Sequence, residues 1–176
     1  MGLLNKNIFL IGMPGSGKST VGRQLAEKFQ MPFVDLDYEI MSNAGMSIKE
    51  IFAAYDEDHF RQLEREALRA VIQKSAGAVI ATGGGTPCFF DNMELIRKNG
   101  ISIFIDVPVT ELISRINAAE RDKRPKFSNN TDLAVTLNQL VRQRVPFYKK
   151  AHHRWDGNEQ TIDELELIIK QLATQP

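Results

Sequence analysis

The chain of 176 residues carries 22 Lys or Arg against 22 Asp or Glu, a balance that gives no field to attract nucleic acid or an anionic membrane. We therefore expect neither as a partner. The single cysteine, Cys88, excludes an intrachain disulfide framework and a cysteine-rich zinc site, and it favours a reducing, cytosolic setting. The length suits one domain over residues 1–176, and we expect a monomer because no heptad pattern or spare apolar helix face indicates a partner chain.

Short apolar runs alternate along the chain with longer stretches of helical period, which is typical of a parallel sheet covered by helices on both faces. The predicted strands are residues 7–11, 32–36, 78–81 and 101–106, with a weaker one at 154–156. The pattern predicts an α/β fold, a three-layer sandwich around a central, mostly parallel sheet of five strands. The first apolar run is far too short for a signal peptide or a membrane span.

A glycine-rich motif follows the first predicted strand directly. Residues 12–19 read Gly-Met-Pro-Gly-Ser-Gly-Lys-Ser, which matches the phosphate-binding pattern G-x-x-x-x-G-K-S between a strand and a helix. In such a loop Lys18 bridges the β- and γ-phosphates of a nucleoside triphosphate, and Ser19 gives its hydroxyl to Mg²⁺. The residues that we expect to bind the nucleotide here are Gly12, Gly15, Ser16, Gly17, Lys18, Ser19 and Thr20.

Two acids come at the end of the second predicted strand. Asp35 and Asp37 are two residues apart, so the alternation of a strand directs both carboxylates to the same side. At the carboxyl edge of an open parallel sheet, where ligands bind in such folds, one acid can serve a metal ion and the other an acceptor hydroxyl. The alternative is that one of them only caps the next helix.

Two further motifs each have a functional and a plain interpretation. The spacing of Arg61 and Glu64 puts them on one helix face, which taken alone is typical of a surface ion pair. The glycines after the third predicted strand allow a ligand to approach the backbone closely, or they form a simple flexible turn. These glycines are Gly83, Gly84 and Gly85.

Positive charge is concentrated late in the chain, where ten Lys or Arg stand against three Asp or Glu between residues 115 and 154. Such an excess suits an anionic ligand. Within it, residues 121–131 are polar and contain Arg124, and they predict either a mobile lid or an ordinary exposed loop. Asp106, at the end of the fourth predicted strand, is left out of the site because a turn residue explains it as well as a Walker B aspartate does.

Taken in chain order, these motifs resemble the shikimate kinase family over nearly the whole chain. The resemblance rests on the phosphate loop, residues 33–37, Phe60-Arg61-x-x-Glu64, Thr82-Gly83-Gly84-Gly85, Arg124-Pro125 and Arg144-x-Pro146-x-Tyr148. It implies the P-loop NTPase fold of the nucleoside monophosphate kinase type. It also implies ATP-dependent phosphorylation of the 3-hydroxyl of shikimate with one Mg²⁺, on the route to chorismate and the aromatic amino acids.

The resemblance also implies a role for each matching residue. Asp37 accepts a hydrogen bond from the attacking hydroxyl, Asp35 reaches Mg²⁺, and Arg115 lies beside the adenine. The catalytic residues are expected to be Lys18, Asp37 and Arg124, with Arg124 also binding the nucleotide. The residues expected to bind shikimate are Asp37, Arg61, Gly83, Gly84, Gly85 and Arg144. The shikimate-binding segment spans about residues 33–64 and the lid about residues 121–131.

The chain departs from the family pattern in places, and two other functions remain open. The lid continues with Lys126-Phe127 where the family has two leucines, and Thr86-Pro87-Cys88 replaces small aliphatic residues after the glycines. Residues 156–160 match poorly and are left unassigned. One alternative is a kinase of another small hydroxylated metabolite or of a nucleotide on the same fold. The other is a nucleotide-binding regulatory module without turnover.

Overall fold

A parallel sheet lies at the centre of the protein in a computed structural model, which describes residues 5–116 and 133–174. The strands are β1 (Asn7–Ile11), β2 (Phe33–Asp35), β3 (Val79–Ala81), β4 (Gly100–Ile105) and β5 (His153–Trp155). Their order is β2-β3-β1-β4-β5, and every neighbouring pair is parallel. The predicted α/β fold with a five-stranded parallel sheet is therefore confirmed, including the weak fifth strand.

Helices connect the strands and cover the sheet. They are α1 (Lys18–Phe29), α2 (Leu36–Ala44), α3 (Ile48–Ala54), α4 (Glu57–Lys74), α5 (Asn92–Lys98), α6 (Val109–Arg115), α7 (Leu133–Tyr148) and α8 (Ile162–Thr174). A short 3₁₀ turn, Thr86–Cys88, follows the triple glycine. None of the helices in these two described stretches is long and apolar enough to cross a membrane.

Both faces of the sheet are buried, as the side chains of β1 show. Phe9 and Ile11 join a core with residues of α4 and α7, whereas Ile8 and Leu10 join a second core with residues of α1 and α8. All four side chains are fully buried. Because successive side chains of a strand alternate between faces, a strand covered on both sides reads as a continuous apolar run. This explains why the sequence pattern predicted the three-layer arrangement.

The predicted lid, residues 121–131 with Arg124, lies outside the described residues. Asp106, which follows β4, accepts a hydrogen bond at 2.6 Å from Nε of Arg154 on β5. It therefore links the ends of two neighbouring strands.

The imidazole of His152 predicts a pH dependence of folding stability. Its Nδ1 accepts the backbone N–H of Ser102 at 3.1 Å and lies 2.8 Å from the Ser102 hydroxyl, so the bonded form is the neutral one. Burial, together with the positive charges of Arg97 and Lys6, lowers the pKa of His152. The folded state then binds fewer protons than the unfolded state. The contribution of His152 to the free energy of unfolding should be fully present above the ordinary histidine pKa of about 6.5. It should be lost as the pH drops through that value toward the lowered pKa of the folded state.

Urea unfolding between pH 8 and pH 5 measures this dependence. His152→Asn is the matched variant, because an amide oxygen can take the place of Nδ1 as an acceptor without titrating. The variant should lose less stability over this pH range than the wild type. Burial also lowers the pKa of His153. Both proteins contain His153, so its contribution to the pH dependence cancels in the comparison. Equal slopes in the two proteins would contradict the assignment to His152.

Candidate active site

The loop between β1 and α1 has the backbone shape that its motif predicts. Gly12, Gly15 and Gly17 have φ angles of 148°, 77° and 93°, in the region that strains any residue with a Cβ. A Cβ at Gly12 would also lie 2.6 Å from the carbonyl oxygen of Ile105. Only glycine fits this turn, which brings the loop to the positive N-terminal end of α1, where anions bind favourably.

Two buried polar side chains of this loop suit a phosphate ligand. Nζ of Lys18 donates to the carbonyl oxygens of Gly12 at 3.0 Å and of Met13 at 2.8 Å, which holds the ammonium group over the loop. Oγ of Ser16 is buried and has no hydrogen-bond partner among the described residues. A buried hydroxyl left unpaired costs about 1–3 kcal/mol, so the loop favours a ligand that supplies an acceptor oxygen.

The phosphate loop forms one wall of a cavity of about 950 Å³ at the carboxyl ends of the strands. This volume is at the upper end of the range for small-molecule and cofactor sites. Thr20, exposed in the first turn of α1, also borders it. Other residues that line the cavity include Ser16, Ser19, Asp35, Asp37, Gly84, Arg115, Trp155 and Asn158.

Asp35 caps α2, which is the plain interpretation considered from the sequence, and it also contacts the phosphate-binding motif. Its Oδ2 accepts the hydroxyl of Ser19 at 2.8 Å, and its Oδ1 accepts the backbone N–H of Asp37 at 3.1 Å, which caps α2. The residue is thus a helix cap whose second oxygen faces the phosphate loop. A hydroxyl and a carboxylate beside a phosphate site are the oxygen ligands that Mg²⁺ takes in proteins, so these two residues fit the predicted metal position.

Asp37 lies in the first turn of α2, close to the first of the three glycines. A Cβ at Gly83 would be 3.0 Å from Oδ1 of Asp37 and 2.6 Å from Oε1 of Glu64. The missing side chain of Gly83 therefore leaves room for two carboxylates on one side of the loop. Asp37 is half-buried and lines the same cavity as the phosphate loop, where an acceptor hydroxyl could reach it.

The Arg61–Glu64 pair is buried, so the prediction of a surface ion pair, which its spacing favours, is wrong. The two side chains are 5% and 2% exposed, and Nη1 of Arg61 donates to Oε2 of Glu64. Nη2 of the same guanidinium donates to Oε1 of Glu57 at 2.8 Å, and the ring of Phe89 lies 4.2 Å from its Cζ. Because buried ion pairs contribute little net stability, such a pair packed against the three glycines indicates a functional site.

The triple glycine is closely packed, and the flexible turn considered from the sequence is wrong. None of its residues has a positive φ. A Cβ at Gly85 would lie 2.8 Å from Cζ of Arg61, and one at Gly84 would lie 3.0 Å from Nη1 of Arg144. These residues are glycines because guanidinium groups from α4 and α7 approach the backbone, which leaves no space for side chains.

Arg144 is held on the buried face of α7 together with Tyr148. Both are buried, and the Tyr148 hydroxyl donates to the carbonyl oxygen of Gly84. Burial raises the pKa of this phenol, so it stays protonated and keeps that hydrogen bond. Cys88 lies nearby, and burial raises the pKa of its thiol to about 11 against the opposing charges of Arg144 and Arg61. A thiol in that state is no nucleophile at neutral pH.

Arg115 connects the phosphate loop with the loop after β5. Its Nη1 donates to the carbonyl oxygen of Ser16 at 3.2 Å, and its Nη2 pairs with Glu111. The second carboxylate oxygen of Glu111 accepts Nδ2 of Asn158 at 2.8 Å. Sequence analysis missed both partners. The i,i+4 spacing of Glu111 and Arg115 could have indicated the first, but no local signal points to Asn158.

The fold and the site together define a small-molecule kinase of the P-loop class. The phosphate-binding loop, Asp35 and Asp37 border one cavity. The guanidinium groups of Arg61 and Arg144 lie against the neighbouring glycines. This arrangement suits the transfer of a phosphoryl group from a triphosphate to a small anionic acceptor.

Comparison with known proteins identifies the family. The shikimate kinase family model matches residues 14–173. Shikimate kinase of Phocaeicola vulgatus is 39% identical over 154 residues, which cover 86% of this chain and 87% of that protein. The enzyme of Sulfurihydrogenibium sp. is 36% identical over 170 residues, 97% of each chain. A solved shikimate kinase from Acinetobacter baumannii in complex with shikimate has a TM-score of 0.85 and 33% identity, covering 95% of this chain and 92% of that one. The chain belongs to the shikimate kinase family.

Proposed function

We propose that the protein transfers the γ-phosphoryl group of ATP to the 3-hydroxyl of shikimate, giving shikimate 3-phosphate on the route to chorismate and the aromatic amino acids. The observation that carries this proposal is the grouping of Asp37, Arg61 and Arg144 around the three glycines, beside the phosphate loop. Shikimate is a carboxylate with three hydroxyls. It therefore needs cationic donors at one end and a hydrogen-bond acceptor at the reacting hydroxyl.

Arg61 and Arg144 bind the shikimate carboxylate through charge-assisted hydrogen bonds. Glu57 and Glu64 hold Arg61 from two sides, and the Gly84 backbone lies against Arg144. Both guanidinium groups are therefore positioned before the substrate arrives. Preorganised side chains lose little rotamer entropy on binding, which favours affinity for a small ligand.

Asp37 accepts the hydrogen bond of the attacking hydroxyl and orients its oxygen toward the γ-phosphorus. Phosphoryl transfer passes through a loose transition state, so positioning and charge stabilisation provide most of the catalysis. Lys18 exchanges its carbonyl partners for β- and γ-phosphate oxygens when the nucleotide enters. The catalytic and nucleotide-binding roles of Arg124 stay predictions from the family resemblance.

The nucleotide site uses the loop residues that the sequence named, with Arg115 beside the base. Ser19 and Asp35 hold Mg²⁺, which neutralises charge on the β- and γ-phosphates when bound. In support, their oxygens adjoin each other at 2.8 Å in the wall of the cavity. Three further statements stay predictions from the sequence: the single kinase domain, the monomeric state and the cytosolic setting. Sedimentation equilibrium tests the monomeric state.

Release of ADP by the purified protein with ATP and Mg²⁺ tests the proposal. Shikimate is the acceptor under test, and gluconate and AMP serve as controls. Release that depends on shikimate is expected. Release with only gluconate or AMP would show that the protein is a small-molecule kinase whose acceptor is not shikimate. This is the outcome that the alternative of another small-molecule kinase predicts. ATP binding without release for any acceptor would instead favour a regulatory module.

Trp155 provides an independent readout of nucleotide binding. It is the only tryptophan of the chain, it lines the cavity, and its buried Nε1 has no partner among the residues described. Titration with Mg-ATP should change its fluorescence and saturate, because a ligand in the cavity alters the surroundings of the indole. Lys18→Ala should abolish the change at the same nucleotide concentrations. Calorimetric binding of ATP without any change in fluorescence would place the nucleotide elsewhere.

A further inference from the structure

The buried carboxylate of Glu64 is hydrogen-bonded at both oxygens. Oε2 accepts a hydrogen bond from Nη1 of Arg61, and Oε1 accepts a hydrogen bond of 2.7 Å from the hydroxyl of Thr86. Thr86 is fully buried in the short turn after the triple glycine, and its carbonyl oxygen accepts Nδ2 of the fully buried Asn92 at 2.9 Å. A continuous hydrogen-bonded row therefore runs from Asn92 through Thr86 and Glu64 to the guanidinium of Arg61.

We propose that Thr86 is a positioning residue for substrate recognition. Its hydroxyl fixes the Glu64 carboxylate against Arg61 and thereby sets the affinity of the acceptor pocket for a carboxylate substrate. The inference rests on the proposed function, because it assigns Arg61 to the substrate carboxylate.

The surroundings of Glu64 explain why a second hydrogen bond matters. Burial raises the pKa of Glu64, and the negative charge of Asp37 acts in the same direction, whereas Arg61 and Thr86 oppose both effects. Cys88 and Tyr148 also lie close enough for the charge of Glu64 to act on them. They stay neutral at physiological pH because burial raises the pKa of each. The charge of Glu64 therefore depends on the arginine and on the threonine hydroxyl.

Loss of that hydroxyl has a predictable consequence. Without it the pKa of Glu64 rises further, and the carboxyl group takes up a proton at a higher pH than in the wild type. A protonated Glu64 no longer attracts Arg61, which then loses one of the two carboxylates that hold its guanidinium in place. Affinity for shikimate should fall, and it should fall most on the acid side. The nucleotide site should be unaffected, because the hydrogen bonds of this row join α4, the turn at Thr86 and α5.

Thr86→Val tests the proposal, since valine keeps the shape of threonine and the backbone bond from Thr86 N–H to the Gly83 carbonyl oxygen. We expect the shikimate KM to rise about tenfold, as loss of a buried hydrogen bond to a charged group implies, with the ATP KM unchanged. The acid limb of kcat/KM for shikimate should move to higher pH. Thr86→Ser, which retains the hydroxyl, should restore both quantities.

A second measurement does not depend on turnover. Carbon-13 NMR of labelled glutamate side chains follows the protonation of Glu64, whose midpoint should lie at higher pH in Thr86→Val than in wild type. If the valine variant failed to fold, Thr86→Ala would take its place in both experiments. An unchanged shikimate KM, or an equal loss for shikimate and ATP, would overturn the proposal, as would an unchanged Glu64 midpoint. Absence of shikimate-dependent turnover in the wild type would instead overturn the proposed function, while the midpoint would still test the Thr86–Glu64 link.

Discussion

Asp37→Asn is expected to lower kcat by about 10²- to 10⁴-fold, the range that a positioned acid or base contributes. Asparagine has nearly the same shape, but its amide cannot accept the hydroxyl proton as a carboxylate can. The start of α2 should stay intact, because the cap uses the backbone N–H of residue 37 and not its side chain. Affinity for ATP should therefore be unchanged, as measured by the fluorescence of Trp155.

Asp106→Asn is the matched control. Asp106 also follows a strand of the sheet, but it pairs with Arg154 and does not line the cavity. This variant should keep wild-type kcat and KM for both substrates in the ADP-release assay. Intact turnover in Asp37→Asn would refute the role assigned to Asp37. A similar loss in both variants would show that the effect comes from general damage to the strand ends.

Arg144→Ala should raise the shikimate KM on the order of 10²-fold, or about 3 kcal/mol, because truncation of a buried charged hydrogen-bonding partner costs about 2–5 kcal/mol. The ATP KM should change little. Arg144 approaches the backbone of Gly84, the residue whose carbonyl oxygen accepts the Tyr148 hydroxyl, so part of the effect comes from looser packing of this loop. Steady-state kinetics with each substrate varied in turn separates the two constants.

Arg142→Ala provides the comparison on the same helix. Arg142 lies two residues earlier on α7 and is exposed, whereas Arg144 is buried. Its removal takes away the same charge and the same side chain without touching the glycine-rich loop, so shikimate KM should stay at the wild-type value. If the two variants raised KM equally, general electrostatic attraction would explain the effect. An unchanged KM in Arg144→Ala would show that the carboxylate binds elsewhere.

Several features of this protein could be predicted from its sequence because they depend on residues close together in the chain. The phosphate loop is one continuous motif, and its glycines report the backbone angles that the turn needs. The strands β1, β3 and β4 were predictable because both of their faces are buried, which makes each an apolar run. The edge strand β5 is only partly buried and reads His-Arg-Trp, so its pattern is weak. Asp35 and Asp37 border the same cavity, as the sequence predicted, but strand alternation is not the reason. β2 ends at Asp35, and Asp37 lies in the first turn of α2.

Other features depended on which distant segments the tertiary structure brings together. The spacing of Arg61 and Glu64 is the same in a surface pair and a buried pair, and the packing of α4 against the glycines decided between them. The hydrogen bonds from Thr86 to Glu64 and from Asn158 to Glu111 join residues 22 and 47 positions apart. Periodicity describes the backbone of one element, whereas these contacts depend on the strand order that places the ends of β1, β2 and β3 side by side.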